Sequence, residues 1–245
     1  TCVVTLDAAK TVGATFTSFV YTVSVNIGAG GGLVTSEPAG IYCGADCTET
    51  YQADAVVTLT AIPEPGAVFK GWSGACTGTS LTCSVTVSTT RSVAARFVFP
   101  LTVATAGNGG GTLTSSPTAI DCGATCSAEL DNNTQVTLSA APDSTSVFAG
   151  WTGACSGALT CTVSMTAARS ATATFTRQSY LLTVVRTGNG GGTVASSPAG
   201  IDCGPSCDAS FLATTVVTLT AASDANSSFA GWNGACSGSG ACVVT

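Results

Sequence analysis

The stretch Phe69-Lys-Gly-Trp72-Ser-Gly-Ala-Cys76 decides how this chain is read, because it returns twice. It recurs as Phe148-Ala-Gly-Trp151-Thr-Gly-Ala-Cys155 and as Phe229-Ala-Gly-Trp232-Asn-Gly-Ala-Cys236. The tryptophans are spaced by 79 and 81 residues. Self-similarity at a near-constant period marks a repeat architecture, and it overrides any domain count drawn from length. A second phrase keeps the same phase: Ser36-Glu-Pro-Ala-Gly-Ile-Tyr-Cys43, Ser115-Ser-Pro-Thr-Ala-Ile-Asp-Cys122 and Ser196-Ser-Pro-Ala-Gly-Ile-Asp-Cys203. The unit is about 80 residues.

Outward from these phrases, the two ends match each other. Residues 1–16 match Thr160–Phe175, the tail of a repeat, and Cys242-Val-Val-Thr245 reads the same as Cys2-Val-Val-Thr5. The expected organisation is therefore residues 1–18 as the C-terminal hairpin of an incomplete upstream repeat, then repeats over 19–99 and 100–178. Residues 179–245 form a third repeat lacking its final hairpin. Two explanations fit. The chain is a window cut from a longer array, or the N-terminal hairpin of one subunit completes the last repeat of the next. A contact of the second kind does not close and generates fibres. In both, the expected partner is the protein itself, head-to-tail or as continuing repeats.

Within the second unit, Leu101-Thr-Val-Ala-Thr alternates apolar and polar residues, as a half-buried strand does. Gly107-Asn-Gly-Gly-Gly111 is a turn with a hairpin signal, and Thr112-Leu-Thr-Ser-Ser is its return strand. Val136–Ala140, Val147–Trp151, Cys161–Met165 and Ala171–Phe175 read as further strands, the last two as a hairpin. No window sustains a 3.6-residue period. The expected fold is all-β: a rod-like tandem array of small disulfide-stapled domains, β-grasp-like or small sandwiches, with about six strands in each. The junctions Phe97-Val-Phe-Pro100 and Arg177-Gln-Ser-Tyr180 are short, not flexible Gly/Ser linkers.

The chain has 13 Cys and no His. Each unit holds four cysteines, for which three connectivities exist. The favoured pairing is local: Cys43–Cys47 with Cys76–Cys83, Cys122–Cys126 with Cys155–Cys161, and Cys203–Cys207 with Cys236–Cys242. Cys2 is left unpaired or intermolecular. Spacing of this kind suits a four-cysteine zinc site poorly, so no metal is expected. Disulfides place the protein outside the reducing cytosol.

Composition narrows function further. Only 7 Lys and Arg stand against 13 Asp and Glu, too few cations for a nucleic-acid surface. Mean hydropathy is high at +0.45, yet no apolar run reaches the ~18 residues of a membrane helix. Without His, nucleophile–imidazole pairs are excluded. The expectation is no enzyme and no cofactor. The Gly-rich stretches at 28–32, 107–111 and 188–192 lack the Lys-Ser/Thr of a phosphate loop and read as turns. Trp72, Trp151 and Trp232 have two readings, a core aromatic beside a disulfide or a stacking platform for a ligand such as a glycan. Lys10, Arg91 and Arg169 recur at one phase and read as hairpin-tip cations.

Four phrases together carry a family resemblance: Ser196–Cys203, Val217-Thr-Leu-Thr-Ala221, Phe148–Cys155 and Cys161-Thr-Val-Ser-Met-Thr-Ala-Ala-Arg-Ser-Ala-Thr-Ala-Thr-Phe175. They resemble a Cys-containing branch of the divergent internalin-B-type repeats found in tandem in large bacterial surface proteins. The resemblance covers essentially the whole chain. It implies small β-rich units, β-grasp-like in better-known relatives, that act as spacers or adhesin stalks and carry no catalytic residues. The expected function is a structural repeat protein of an extracellular bacterial fibre, sheath or surface stalk, self-assembling or continuing into a filament. The alternatives are a glycan- or ligand-binding adhesin module, and a non-catalytic appendage of a secreted enzyme.

Overall fold

A computed structural model describes residues 1–122, 126–204 and 207–245. Every regular element among them is a strand, and no described helix is long and apolar enough to cross a membrane. Two compact units emerge. One comprises Thr1–Pro100, Glu129–Thr134 and Met165–Ala168; the other comprises Leu101–Ala128, Gln135–Ser164 and Arg169–Thr245.

In the first repeat the strands are β1 (Val20–Asn26), β2 (Gly32–Glu37), β3 (Tyr42–Cys43), β4 (Thr48–Gln52), β5 (Val56–Pro63), β6 (Val68–Gly74), β7 (Thr82–Thr86) and β8 (Arg91–Gly107). They make two sheets. One runs β4-β1-β8-β6, with β1 and β8 parallel and Val23 opposite Arg91. The other runs β3-β2-β5-β7 and is antiparallel throughout. Side chains alternate across a strand, so each sheet turns one apolar face inward. Val23 and Val25 from β1, Trp72 from β6, and Val93, Ala95 and Phe97 from β8 meet Val34, Val57, Leu59, Ala61 and Val85 of the other sheet in one core. Of the two expected forms, the structure is the small sandwich. Both faces of its core are sheet, with no helix of a β-grasp among the described residues.

The second repeat repeats this plan. Its strands are β9 (Gly111–Ser116), β10 (Asp121–Cys122), β11 (Cys126–Leu130), β12 (Gln135–Pro142), β13 (Ser146–Gly153), β14 (Cys161–Ser164) and β15 (Arg169–Arg177). Residues 101–107 of β8 pair in parallel with β15, and β13 flanks β15 antiparallel. The opposite sheet runs β10-β9-β12-β14. The third repeat has β16 (Ser179–Thr183), β17 (Gly192–Ser197), β18 (Asp208–Leu212), β19 (Val217–Ser223) and β20 (Cys242–Val244). It pairs β16 with β18, and β17 with β19 with β20.

Two sequence-based expectations are corrected. The closing strands of a repeat do not form a hairpin. β7 joins β5 and β14 joins β12 in one sheet, whereas β8 and β15 cross to the other sheet. Alternation at both strands is satisfied by one shared core, so it does not reveal that they face each other across it. Residues 1–18, expected as such a hairpin, are exposed and contain no strand. The second correction adds one strand to each repeat: β4 in the first, β11 in the second and β18 in the third. Thr48-Glu-Thr-Tyr-Gln52 offers a single apolar residue to a period-2 pattern, yet it pairs along the edge of β1.

The turn after this added strand takes a left-handed residue in every repeat: Asp54, Asn133 and Thr214, with φ of 62°, 62° and 66°. Asp and Asn accept that conformation far better than a β-branched residue. Thr214→Asn is therefore expected to stabilise the third repeat by about 0.5–1 kcal/mol, read from its denaturant midpoint; an unchanged midpoint defeats the strain argument.

Candidate functional site

The recurring Phe-x-Gly-Trp phrase forms β6 and β13, and its glycine makes a bulge. The register slips between Phe69 and Gly71, and again between Phe148 and Gly150. Gly71 has φ +132°, and a Cβ there would stand 2.7 Å from the Gly78 carbonyl oxygen. Only glycine permits this approach. It lets the Trp72 backbone N–H donate to that oxygen at 2.8 Å, while the Trp72 Nε1–H donates to the Ser80 carbonyl at 2.8 Å. Both acceptors lie in the loop closed by the Cys76–Cys83 disulfide. The indole is thus a clasp on a stapled loop. The backbone bond recurs from Trp151 to Gly157 and from Trp232 to Gly238, both at 2.7 Å.

Aromatic packing fixes each indole further. Phe69 lies edge-on to Trp72 at 5.2 Å and 5.4 Å from Phe97. Phe148 repeats this with Trp151 at 5.5 Å and Phe175 at 5.6 Å. Trp72 is 6% exposed and Trp151 3% exposed. Neither can present a ring face to a ligand, which corrects the platform reading for both. Trp232 is half-buried and pairs with Phe229 at 4.9 Å.

The structure contains the disulfides Cys43–Cys47, Cys76–Cys83, Cys155–Cys161, Cys203–Cys207 and Cys236–Cys242. Cys126 is also disulfide-bonded, but the side chain of Cys122 is outside the described residues, and with it the Cys122–Cys126 pairing. Cys2 is a free, exposed thiol. Among the described residues no group of three or more Cys, Asp or Glu is arranged to hold a metal ion.

The second recurring phrase, at Ser36–Cys43, Ser115–Cys122 and Ser196–Cys203, has a role that sequence reasoning missed. In each Ser-x-Pro turn the first serine ties both ends of the turn. Ser36 Oγ donates to the Pro38 carbonyl at 2.9 Å and accepts from the Ile41 N–H at 2.9 Å. Ser115 and Ser196 do the same with Pro117 and Ile120, and with Pro198 and Ile201. The fixed Ser-to-Ile spacing was the available signal, since a hydroxyl can mimic a backbone turn. In the first repeat Tyr51 Oη joins this knot, 2.8 Å from Ser36 Oγ.

Burial raises the Tyr51 phenol above its ordinary value of 10.0. The folded state then holds the proton to higher pH than the unfolded chain does. The resulting stabilisation is full below pH ~10 and is lost as pH rises beyond it. Tyr51→Phe is expected to cost about 1 kcal/mol at neutral pH through the lost hydrogen bond. It should also flatten the decline in melting temperature above pH ~10; equal alkaline slopes in both proteins would defeat the assignment.

Charges are sparse and peripheral. Asp7 sits below the usual carboxylate range because Lys10 contacts it at 2.6 Å on the surface. Arg91 reaches back to the Thr86 carbonyl at 3.2 Å and Ser88 Oγ at 2.8 Å, so it braces the preceding turn. Lys70–Glu129 and Arg96–Asp131 are exposed pairs, a class worth about 0–1 kcal/mol each. A cleft of about 310 Å³ in the first unit includes Ala94, Ala95, Phe97 and Gly28. Its one carboxylate, Asp131, is already engaged by Arg96.

A family profile for the divergent InlB B-repeat domain matches residues 21–98 and 101–179, more than half of the 245 residues. No curated protein matches the chain. Among solved structures, the Bacillus anthracis TIE protein is similar at TM-score 0.40 and 10% identity, over 83% of this chain and 45% of that one. The chain thus spans less than half the length of that protein. The major pilin protein (T-13) from Streptococcus pyogenes serotype GAS131465 is similar at TM-score 0.29 and 8% identity, over 66% of this chain and 98% of that one. With two tandem matches running from residue 21 to residue 179, the chain belongs to the divergent InlB B-repeat domain family.

Proposed function

We propose that this chain is a structural segment of an extracellular bacterial fibre, sheath or surface stalk, in which repeats follow one another head-to-tail as spacers. The observation that carries this reading is the burial of Trp72 and Trp151. The most distinctive recurring side chain closes the core and clasps a disulfide loop, so what repeats along the chain is a means of stability rather than a ligand platform. Stapled cores of about 80 residues suit an oxidising location where chaperones are scarce and a small core alone is marginal. Membership of a repeat family supports the same reading.

Electron microscopy of unreduced native material tests it. The expected image is an extended filament or stalk with an axial period of roughly 30–40 Å per repeat, the breadth of a compact unit of this size. Globular particles without a period would defeat the spacer function. Glycan binding that is lost in Trp232→Phe, a change on the half-buried indole, would favour the adhesin alternative.

A further inference from the structure

We propose that the first repeat carries a binding cleft for a neutral sugar residue, rimmed by Asn26, Ser73, Arg96 and Asp131. The inference goes beyond the spacer reading and does not depend on it.

The first two repeats share one plan but differ where the opening strand parts from the closing strand. In the second repeat the parallel ladder continues through Thr105–Ala173 and Ala106–Thr174 to Gly107–Phe175. Gly107 lies so close to its partner that a Cβ there would collide with the Phe175 carbonyl oxygen. In the first repeat the ladder stops at Asn26–Ala94. Gly28 precedes Gly32 as Gly107 precedes Gly111, yet a Cβ at Gly28 would have nothing within 4 Å.

The cause is in the sequence. The registers Val23–Arg91 and Leu101–Arg169 make Val23 and Leu101 counterparts. Nine residues follow Val23 up to Gly32, whereas ten follow Leu101 up to Gly111. The shorter connection must leave the ladder sooner. Asn26 Oδ1 accepts from the Gly28 N–H at 2.7 Å, and the Gly30 N–H donates to the Ile27 carbonyl at 3.0 Å, which closes a tight turn. Asn132 Nδ2 donates to the Ala29 carbonyl at 2.9 Å and holds this turn from its outer side. A cleft of about 310 Å³ remains between the turn and β8, and all of its lining belongs to the first compact unit.

Its chemistry selects a ligand class. Ile27, Ala94, Ala95 and Phe97 supply apolar wall. Arg96 bonds through Nε to Asp131 Oδ1 at 3.1 Å, so its two terminal nitrogens and Asp131 Oδ2 remain for a ligand. The Asn26 amide nitrogen and the Ser73 hydroxyl also have no hydrogen-bond partner among the described residues. One cation and one anion cancel, which favours a neutral ligand. Donors and an acceptor share one rim, and each hydroxyl of a neighbouring pair both donates and accepts. A sugar ring supplies such pairs and a C–H face for the apolar wall. The volume is at the small end of ligand pockets, which span roughly 300–1,000 Å³. An added peptide strand would find only Ala95–Phe97 to pair with beyond the last ladder position.

The test titrates the isotope-labelled 245-residue chain with free glucose, galactose, mannose and N-acetylglucosamine, followed by amide shifts in NMR. At least one of them should bind in the millimolar range of a single ring and move the amides of Gly28, Ala29, Ser73 and Ala95. Asp131→Asn keeps an oxygen for Arg96 and should leave the melting temperature unchanged, but should weaken binding about tenfold or more. Ser73→Leu, on the exposed rim, should abolish binding by filling the mouth. Trp232→Phe should change nothing. The proposal is overturned if no sugar moves these amides, or if binding survives both cleft variants or is lost in Trp232→Phe. Tighter binding of the sulfated form of the same sugar overturns the neutral class. Shifts caused by a Thr-Val-Thr-Val peptide and by no sugar would make the cleft a strand-addition site instead. Each of these failures leaves the spacer function standing.

Discussion

Phe175→Ala is expected to destabilise the second repeat by about 3–5 kcal/mol. The ring is fully buried, lies 5.6 Å from Phe148 and covers the backbone at Gly111. Glycine at position 111 has no side chain of its own to fill the void. A repeat of about 80 residues has roughly 4–12 kcal/mol of stability in all, so this single change approaches unfolding. Phe16→Ala, at an equivalent sequence position but 90% exposed, should stay within about 0.5 kcal/mol in the monomeric chain. Chemical denaturation monitored by tryptophan emission separates the two. Similar losses for both would mean that residues 10–16 are already packed.

The second large effect is loss of the staples. Loops of the size closed by Cys43–Cys47 and Cys76–Cys83 each restrict the unfolded chain by about 2–2.5 kcal/mol. Cys43 and Cys76 are also buried within the core of the first repeat. Replacing all four cysteines by alanine should therefore cost that repeat at least about 4–5 kcal/mol, a large part of what it has. The expected outcome is a melting transition for the first repeat that collapses in the quadruple variant, while chelators leave the parent unaffected. An unchanged transition would show that the sandwich core suffices without its staples.

The period of about 80 residues, the all-β class and most strands were legible because apolar residues alternate between turn signals, as in Val57-Thr-Leu-Thr-Ala61. Sheet membership was not legible. Alternation reports that a strand has a buried face, and in a sandwich both sheets bury a face in the same core. β7 and β8, adjacent in sequence, therefore looked like a hairpin although they lie in different sheets. β4 was invisible because an edge strand needs few apolar contacts. The tryptophan was ambiguous in sequence because glycines around an indole suit a core clasp and a ligand cleft alike. The bonds to Ser80 and Gly78 separate these readings for Trp72. The Ser36 knot was hidden because a hydroxyl's acceptor and donor roles emerge only once the turn brings Ile41 and Pro38 to it.

The parallel pairing of the opening and closing strands has a mechanical consequence. A repeat held in a tensioned chain is pulled at the start of its first strand and at the end of its last. Where those strands are parallel neighbours, the load runs along the ladder. Its evenly spaced hydrogen bonds must then slide and fail together instead of unzipping one at a time. The first repeat offers Val23–Asn26 against Arg91–Ala94, four facing pairs; the second offers Leu101–Gly107 against Arg169–Phe175, seven. Under stretching in a force spectrometer the second repeat should yield at the higher force, so that a chain made of similar units gives way in a fixed order.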